Sequence, residues 1–271
     1  MAGTDDAVGA GDDALYVLTA VLLTPAKFPS VLGDDYPEAC AALGLAPLAA
    51  GYGLVLGQDG EGARWTVVVD DVSLVAVAIA SWDCGMEYDL SPDERTVVTA
   101  LPGWPLAVAV AAPGVPAPHD PEPGAGEGQP LAPPPSDTWG PAQRRLGADE
   151  IALQWATWRE QLDEADFATD GSPDPSSSPD GAPLTGVRRV MAEAHSYLDS
   201  PPPLGRVRSS FASGETRILR ADGPGWSLVA RTDDIAFVLL DEEPGEVLPV
   251  GRGPRLPALL EALDKMAVRP S

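Results

Sequence analysis

Two stretches of this chain can continue neither a helix nor an inner strand, and their positions dictate how the rest can fold. Residues 112–138 read APGVPAPHDPEPGAGEGQPLAPPPSDT, and residues 168–183 read ATDGSPDPSSSPDGAP. Proline removes the backbone donor and clashes with the preceding helical turn, and neither stretch carries enough apolar surface to pack. The first reads as an extended, semi-rigid linker and the second as a flexible one. With 28 glycines and 30 prolines in 271 residues, much of the irregular structure is concentrated here.

These breaks divide the chain into a flexible N-terminus at 1–13, an N-terminal α+β domain at 14–111 and a linker at 112–147. An amphipathic helix at 148–167, a flexible linker at 168–184 and a C-terminal α+β domain at 185–271 follow. In the first domain, Leu15–Leu23 is strand-compatible, and Asp35-Tyr36-Pro37-Glu38 opens a short helix with proline in its first turn. Valine-rich runs at Gly53–Leu56, Trp65–Val69 and Val72–Ala80 read as strands, as do Thr96–Leu101 and Leu106–Ala111. In the last domain, Val187, Val190, Met191, Ala194 and Leu198 form a helical stripe. Arg217–Arg220, Trp226–Arg231, Ile235–Leu240 and Val247–Val250 read as strands. Leu256, Leu259, Leu260, Leu263 and Met266 line a final helix.

The fold class is therefore α+β, two small lobes of antiparallel strands with flanking helices, joined by Pro/Gly-rich linkers and a tethered helix. Residues 54–78 can be laid over 217–241, matching Asp59-Gly60 to Asp222-Gly223 and Asp70-Asp71 to Asp233-Asp234. This admits a diverged duplication of a three-strand meander. It is equally what two unrelated sets of hairpins would show, because Asp and Gly are what such turns require.

Charge limits the partners. The formal net charge is −24, and its distribution is uneven: residues 1–204 hold 31 acidic and 8 basic side chains, residues 205–271 hold 10 and 9. Such a surface disfavours nucleic acid and anionic membrane and favours encounter with basic proteins. Nucleic-acid mimicry would need carboxylates in rows, and these are scattered singles and pairs. The apolar run Leu15–Leu23 follows aspartates where a signal peptide would be positive, and it is too short to span a bilayer. A cytoplasmic location is the expectation.

No catalytic constellation emerges. His119 lies in the proline linker, and His195 is expected on or near the apolar stripe of its helix as a partly buried structural residue. Cys84 is flanked by Asp83, Glu87 and Asp89, which would raise its pKa where a nucleophile needs it lowered. Cys40 reads as a small core residue. The paired aspartates, Asp163-Glu164 with Asp166, and Asp241-Glu242-Glu243 read as solvated turns and edges. No metal or cofactor site is expected. Gly251-Arg252-Gly253-Pro254-Arg255 precedes the last helix, so Arg252, Gly253 and Arg255 are weak anion-site candidates.

The aromatic residues carry a different message. Ile151, Trp155, Trp158 and Leu162 form one stripe on the tethered helix, with Asp149 as its expected N-cap. That stripe must dock on a lobe of the same chain or on a partner, so these four are partner-binding candidates. The expected function is a non-catalytic, acidic protein-interaction module of the immunity, chaperone or adaptor type that binds a basic or neutral protein partner. The alternative is a ligand-binding protein or enzyme with a pocket between the lobes, using Arg252, Arg255 and Glu215 or the acidic pairs.

Overall fold

The computed structural model describes residues 15–122, 129–162 and 181–270. The flexible N-terminus and most of the second linker expected from sequence lie outside these residues. The chain divides into two compact units. One comprises the described residues of Met1–Thr24 and Leu48–Pro134, and the other those of Pro25–Pro47 and Pro135–Ser271. Residues 25–47 thus leave the first unit after its first strand and belong to the second. No helix among the described residues is long and apolar enough to cross a membrane.

The first unit is a four-stranded antiparallel sheet, ordered β1 (Tyr16–Leu23), β2 (Tyr52–Gln58), β3 (Arg64–Val69), β4 (Val97–Pro102). Helix α2 (Val72–Asp83) packs on one face, which corrects the strand expected at Val72–Ala80. The cause is local: Asp71 caps the helix by accepting from the Leu74 N–H at 3.0 Å, and the apolar run is longer than a strand of this size requires. Gly53 permits the contact, because a Cβ there would stand 2.3 Å from Val75 Cγ2. Strand β1 has a bulge between Val17 and Thr19 that switches the parity of its buried side. Leu15 and Val17 before the bulge, and Ala20 and Leu22 after it, all join the core under α2.

Residues 106–111, expected as a strand, are irregular, and the proline-rich segment beyond them is not a free linker. Gln58 donates to the carbonyls of Gly62 and Pro116 and accepts from the Ala112 N–H. The His119 carbonyl accepts from the Arg64 N–H, and Leu131 bridges Gly103. Proline lacks a donor but keeps its carbonyl, so such a segment can still cover a sheet that supplies donors.

The second unit is a five-stranded meander: β5 (Val207–Ser213), β6 (Thr216–Gly223), β7 (Trp226–Arg231), β8 (Ala236–Leu240), β9 (Leu248–Val250). On one face, Leu219, Ala221, Leu228, Val238 and Leu240 pack against α5 (Gly181–Ser196) and α6 (Leu256–Met266). On the other, Ile218, Val229, Phe237 and Leu239 pack against α3 (Pro141–Leu153) and α4 (Trp155–Glu160). Helix α3 begins at Pro141, ahead of the expected 148, because proline at the first helical position is preorganised for the turn. Asp149 is therefore mid-helix and not an N-cap. The short helix α1 (Tyr36–Ala41) forms where expected, with Pro37 in its first turn, and Asp35 caps it by accepting from the Glu38 N–H at 2.7 Å.

The resemblance between 54–78 and 217–241 holds for two strands and ends there, since helix α2 stands where the second stretch has strand β8. The two DG pairs also differ. Asp59 lies in a turn and accepts from the N–H groups of Glu61 and Ala63, whereas Asp222 is a fully buried residue of β6 paired with Ser227.

Candidate functional site

In the first unit, a groove of about 740 Å³ runs beside β1. Leu15, Val17, Leu18, Thr19 and Ala20 form one side, Ile79, Trp82 and Asp83 at the end of α2 a second, and Tyr88–Ser91 a third. The local sequence explains the third wall. Gly85, at φ +72°, ends α2, and the Met86 N–H returns to the Ser81 carbonyl, reversing the chain so that Tyr88–Leu90 lie under the helix. The apolar lining belongs to the core beneath α2, while Asp83 and Asp89 are exposed. Neither aspartate has a cationic partner among the described residues; Asp89 accepts only from the Ser91 hydroxyl, at 2.7 Å. Strand β1 pairs with β2 alone, so its other edge offers backbone groups not taken up by a described strand.

The second unit holds a buried ionic cluster that the sequence reading did not find. Alternation puts Arg208 of β5 and Arg220 and Asp222 of β6 on the face toward α3, which supplies Arg144, Arg145 and Asp149. Residues 28–35 close it from above. Arg144 donates to both oxygens of Asp34 at 2.7 and 2.9 Å, to Asp241 at 2.7 Å and to the Ser227 hydroxyl at 2.7 Å. Arg145 Nη1 donates to the carbonyls of Gly33 and Asp34 at 2.9 and 2.6 Å. Asp149 accepts from Arg220 and from Ser30. Arg206 pairs with Asp35 at 2.9 Å. The Phe28 ring takes the guanidinium carbons of Arg145 and Arg208 at 4.1 and 4.7 Å from its centroid.

Burial dominates the electrostatics of this cluster. It raises the Asp34 carboxyl to about 6 even though Arg144 pulls the other way. It lowers Arg208 to about 9, helped by repulsion from Arg145 and Arg220. Burial works against ionisation of Asp222 as well, but Arg145, Arg220 and Arg208 outweigh it and hold the carboxyl below its ordinary value.

The residues singled out from sequence fall elsewhere. Ile151 and Trp155 are buried on the chain's own second sheet, with Trp155 edge-on to Phe237 at 5.2 Å, and Trp158 and Leu162 pack partly against the same cluster. Ile151 and Trp155 are thus taken up by their own chain, and Trp158 and Leu162 are partly so. Arg252 is exposed and donates to the Thr232 and Asp234 carbonyls; Arg255 is exposed at the start of α6, and the Gly253 N–H is taken by Gly251. His195 is exposed, not partly buried, because the stripe of α5 runs through Val187, Val190, Ala194 and Tyr197. His119 is exposed as well. Cys40 is buried and Cys84 exposed, and both are free thiols. No group of three or more metal-ligating side chains occurs among the described residues.

No family model matches this chain, and no curated protein or solved structure is significantly similar to it.

Proposed function

We propose that this chain is a non-catalytic, acidic protein-interaction module of the immunity, chaperone or adaptor type, binding a basic protein partner. The observation that carries this reading is the groove beside β1: apolar side chains set among a larger polar surface, exposed carboxylates without a cationic partner among the described residues, and a strand edge not taken up by a described strand. An extended segment entering that groove could add to β1 through main-chain hydrogen bonds and place apolar side chains against Leu18, Trp82 and Tyr88. Basic residues flanking it would meet Asp83 and Asp89. The chain's net charge of −24 would speed such an encounter and make it sensitive to salt. Two cysteines left as free thiols fit a reducing cytoplasm.

The test is affinity capture from the native host's lysate with the wild-type chain and an Asp83→Lys/Asp89→Lys variant in parallel. Both substitutions are at exposed positions, so folding should be unaffected. The expected result is a basic protein retained by the wild type at low salt, released at high salt, and bound by the variant about tenfold more weakly. Equal capture by both forms would remove the groove as the binding face. Failure to retain any protein under either condition would overturn the interaction reading itself.

A further inference from the structure

The ionic cluster of the second unit carries more positive charge at its centre than its hydrogen bonds use. Arg145, Arg208 and Arg220 are 0, 9 and 6% exposed. In all three, the same edge of the guanidinium, Nε with Nη2, meets no acceptor among the described residues. That edge is the fork that grips an oxyanion through two parallel N–H bonds. Asp222 Oδ2 is itself without a donor, and it lies 3.7 Å from both Arg145 Nε and Arg208 Nη2, beyond hydrogen-bonding distance. The other carboxylates are committed: Asp34 and Asp241 to Arg144, Asp35 to Arg206, Asp149 to Arg220 Nη1 and Ser30. The cluster as a whole is balanced, but unevenly: Arg144 holds two carboxylates, whereas Arg145, Arg208 and Arg220 have only Asp149 and Asp222 as ion-pair partners.

Two features make this more than an ordinary ion-pair network. First, Arg208 and Arg220 are directly opposed across β5 and β6, a placement that like charges disfavour even at a surface. Second, a buried donor without an acceptor costs more than a hydrogen bond contributes, so interiors rarely retain one, let alone three such forks. A small anion among them resolves both at once, since it supplies acceptors and screens the guanidiniums from one another.

We infer that the second unit binds a tetrahedral oxyanion of the phosphate or sulfate class between Arg145, Arg208 and Arg220, beside Asp222 and beneath Phe28. Enclosure by these side chains selects a free inorganic ion over a nucleotide or a phosphopeptide. The ion acts as a structural ligand, taken up as residues 25–47 fold onto β5, β6 and α3. The inference stands independently of the protein-binding reading, which concerns the first unit.

The experiment is thermal unfolding of the full chain after unfolding in urea, removal of anions by dialysis and refolding. Sodium phosphate, sulfate and chloride are compared at matched ionic strength, in the low-millimolar range where general salting effects are small. Phosphate or sulfate should raise Tm saturably by about 5 °C over chloride, as expected of a ligand present well above its Kd. Arg220→Met, which keeps the stem and removes one fork, should abolish that increment. Calorimetric titration of the anion-free wild type with sodium phosphate reads the same site without a variant and should give a saturable heat. A chain that phosphate and sulfate stabilise no more than chloride, with no heat on titration, overturns the inference. So does an Arg220→Met protein with an undiminished response.

Discussion

Arg208 and Arg220 face each other directly across β5 and β6, and Asp222, two residues on from Arg220, is the nearest carboxylate to Arg208 and Arg145. Two guanidiniums, Arg145 and Arg208, therefore share one fully buried acid, while Arg220 is held by Asp149. Removing one partner of a buried pair leaves uncompensated charge, at about 3–5 kcal/mol, whereas exposed pairs are worth about 1 kcal/mol or less. Asp222→Asn should therefore cost several kcal/mol in urea unfolding. Asp233→Asn, which removes the exposed Arg231 pair in the β7–β8 turn, should shift the midpoint only slightly. Equal effects from the two would show that Asp222 is not the keystone of the cluster.

Asp34 gives the cluster a pH dependence of definite sign. Its pKa is raised from 3.8 to about 6 by burial against the pull of Arg144, with Asp222 adding repulsion and Arg145 attraction. The folded state thus binds this proton more tightly than the unfolded chain does. The resulting stability is fully present below the unfolded value, declines as pH rises toward about 6, and is absent above it. At 1.36 kcal/mol per unit, the amplitude is of order 3 kcal/mol. The stability difference between wild type and Asp34→Asn should fall by roughly that amount between about pH 4 and pH 7, as followed by urea unfolding. A difference that stays constant across this range would mean that Asp34 titrates as an ordinary carboxylate.

The tethered helix offers a test of where its aromatic stripe is engaged. Trp155 is buried against Phe237, while Trp158 is half-buried at the edge of the same cluster. Trp155→Ala should cost about 3–5 kcal/mol, the usual cost of deleting a large buried aromatic side chain. Trp158→Ala should cost clearly less. If both were neutral in the isolated chain, the stripe would have to be held by another molecule.

These elements also show where local sequence information stops. The helices of regular stripe, such as Val187–Leu198 and Leu256–Met266, are legible because each buries one face only, whereas β7 and β8, covered on both faces, are legible as short apolar runs bounded by turn residues. Val72–Ala80 is apolar on every side, so periodicity cannot separate a strand from a helix, and the deciding contact is the Asp71 cap. Strand β5 was missed because Arg208, Ser209 and Ser210 are polar on both of its faces; their partners, Asp222 in β6 and Asp264 in α6, come from other elements. Arg144 and Arg145 fell within the expected linker for the same reason. A buried charge is recognisable only through its counter-charges, and here these come from residues 34, 222 and 241. One signal was available: in β6, Arg220 and Asp222 share the parity of Ile218, which places charge on a face that Ile218 marks as inward.

The two thiols make a simple check on the environments of Cys40 and Cys84. Cys84 is exposed, whereas Cys40 is buried in α1 and its pKa is pushed up by that burial. Thiolate is the reactive form, so both access and ionisation protect Cys40. Ellman's reagent should titrate one thiol promptly in the native chain and the second only on denaturation. Cys84→Ser should abolish the prompt phase.

Gly53 is where β2 meets α2, and a Cβ there would fall 2.3 Å from Val75 Cγ2 and 2.9 Å from Val75 Cβ. Because Val75 is β-branched and buried, it has no alternative rotamer with room to withdraw. Gly53→Ala should therefore push the helix off the sheet, at the 1–3 kcal/mol typical of overpacking. The displacement would open the core that also lines the groove beside β1. Gly53→Ala combined with Val75→Ala should recover part of the loss, because the second change removes the atoms the new methyl meets. Recovery in a double-mutant cycle by chemical unfolding checks this contact directly, and strictly additive losses would mean that the two residues do not touch.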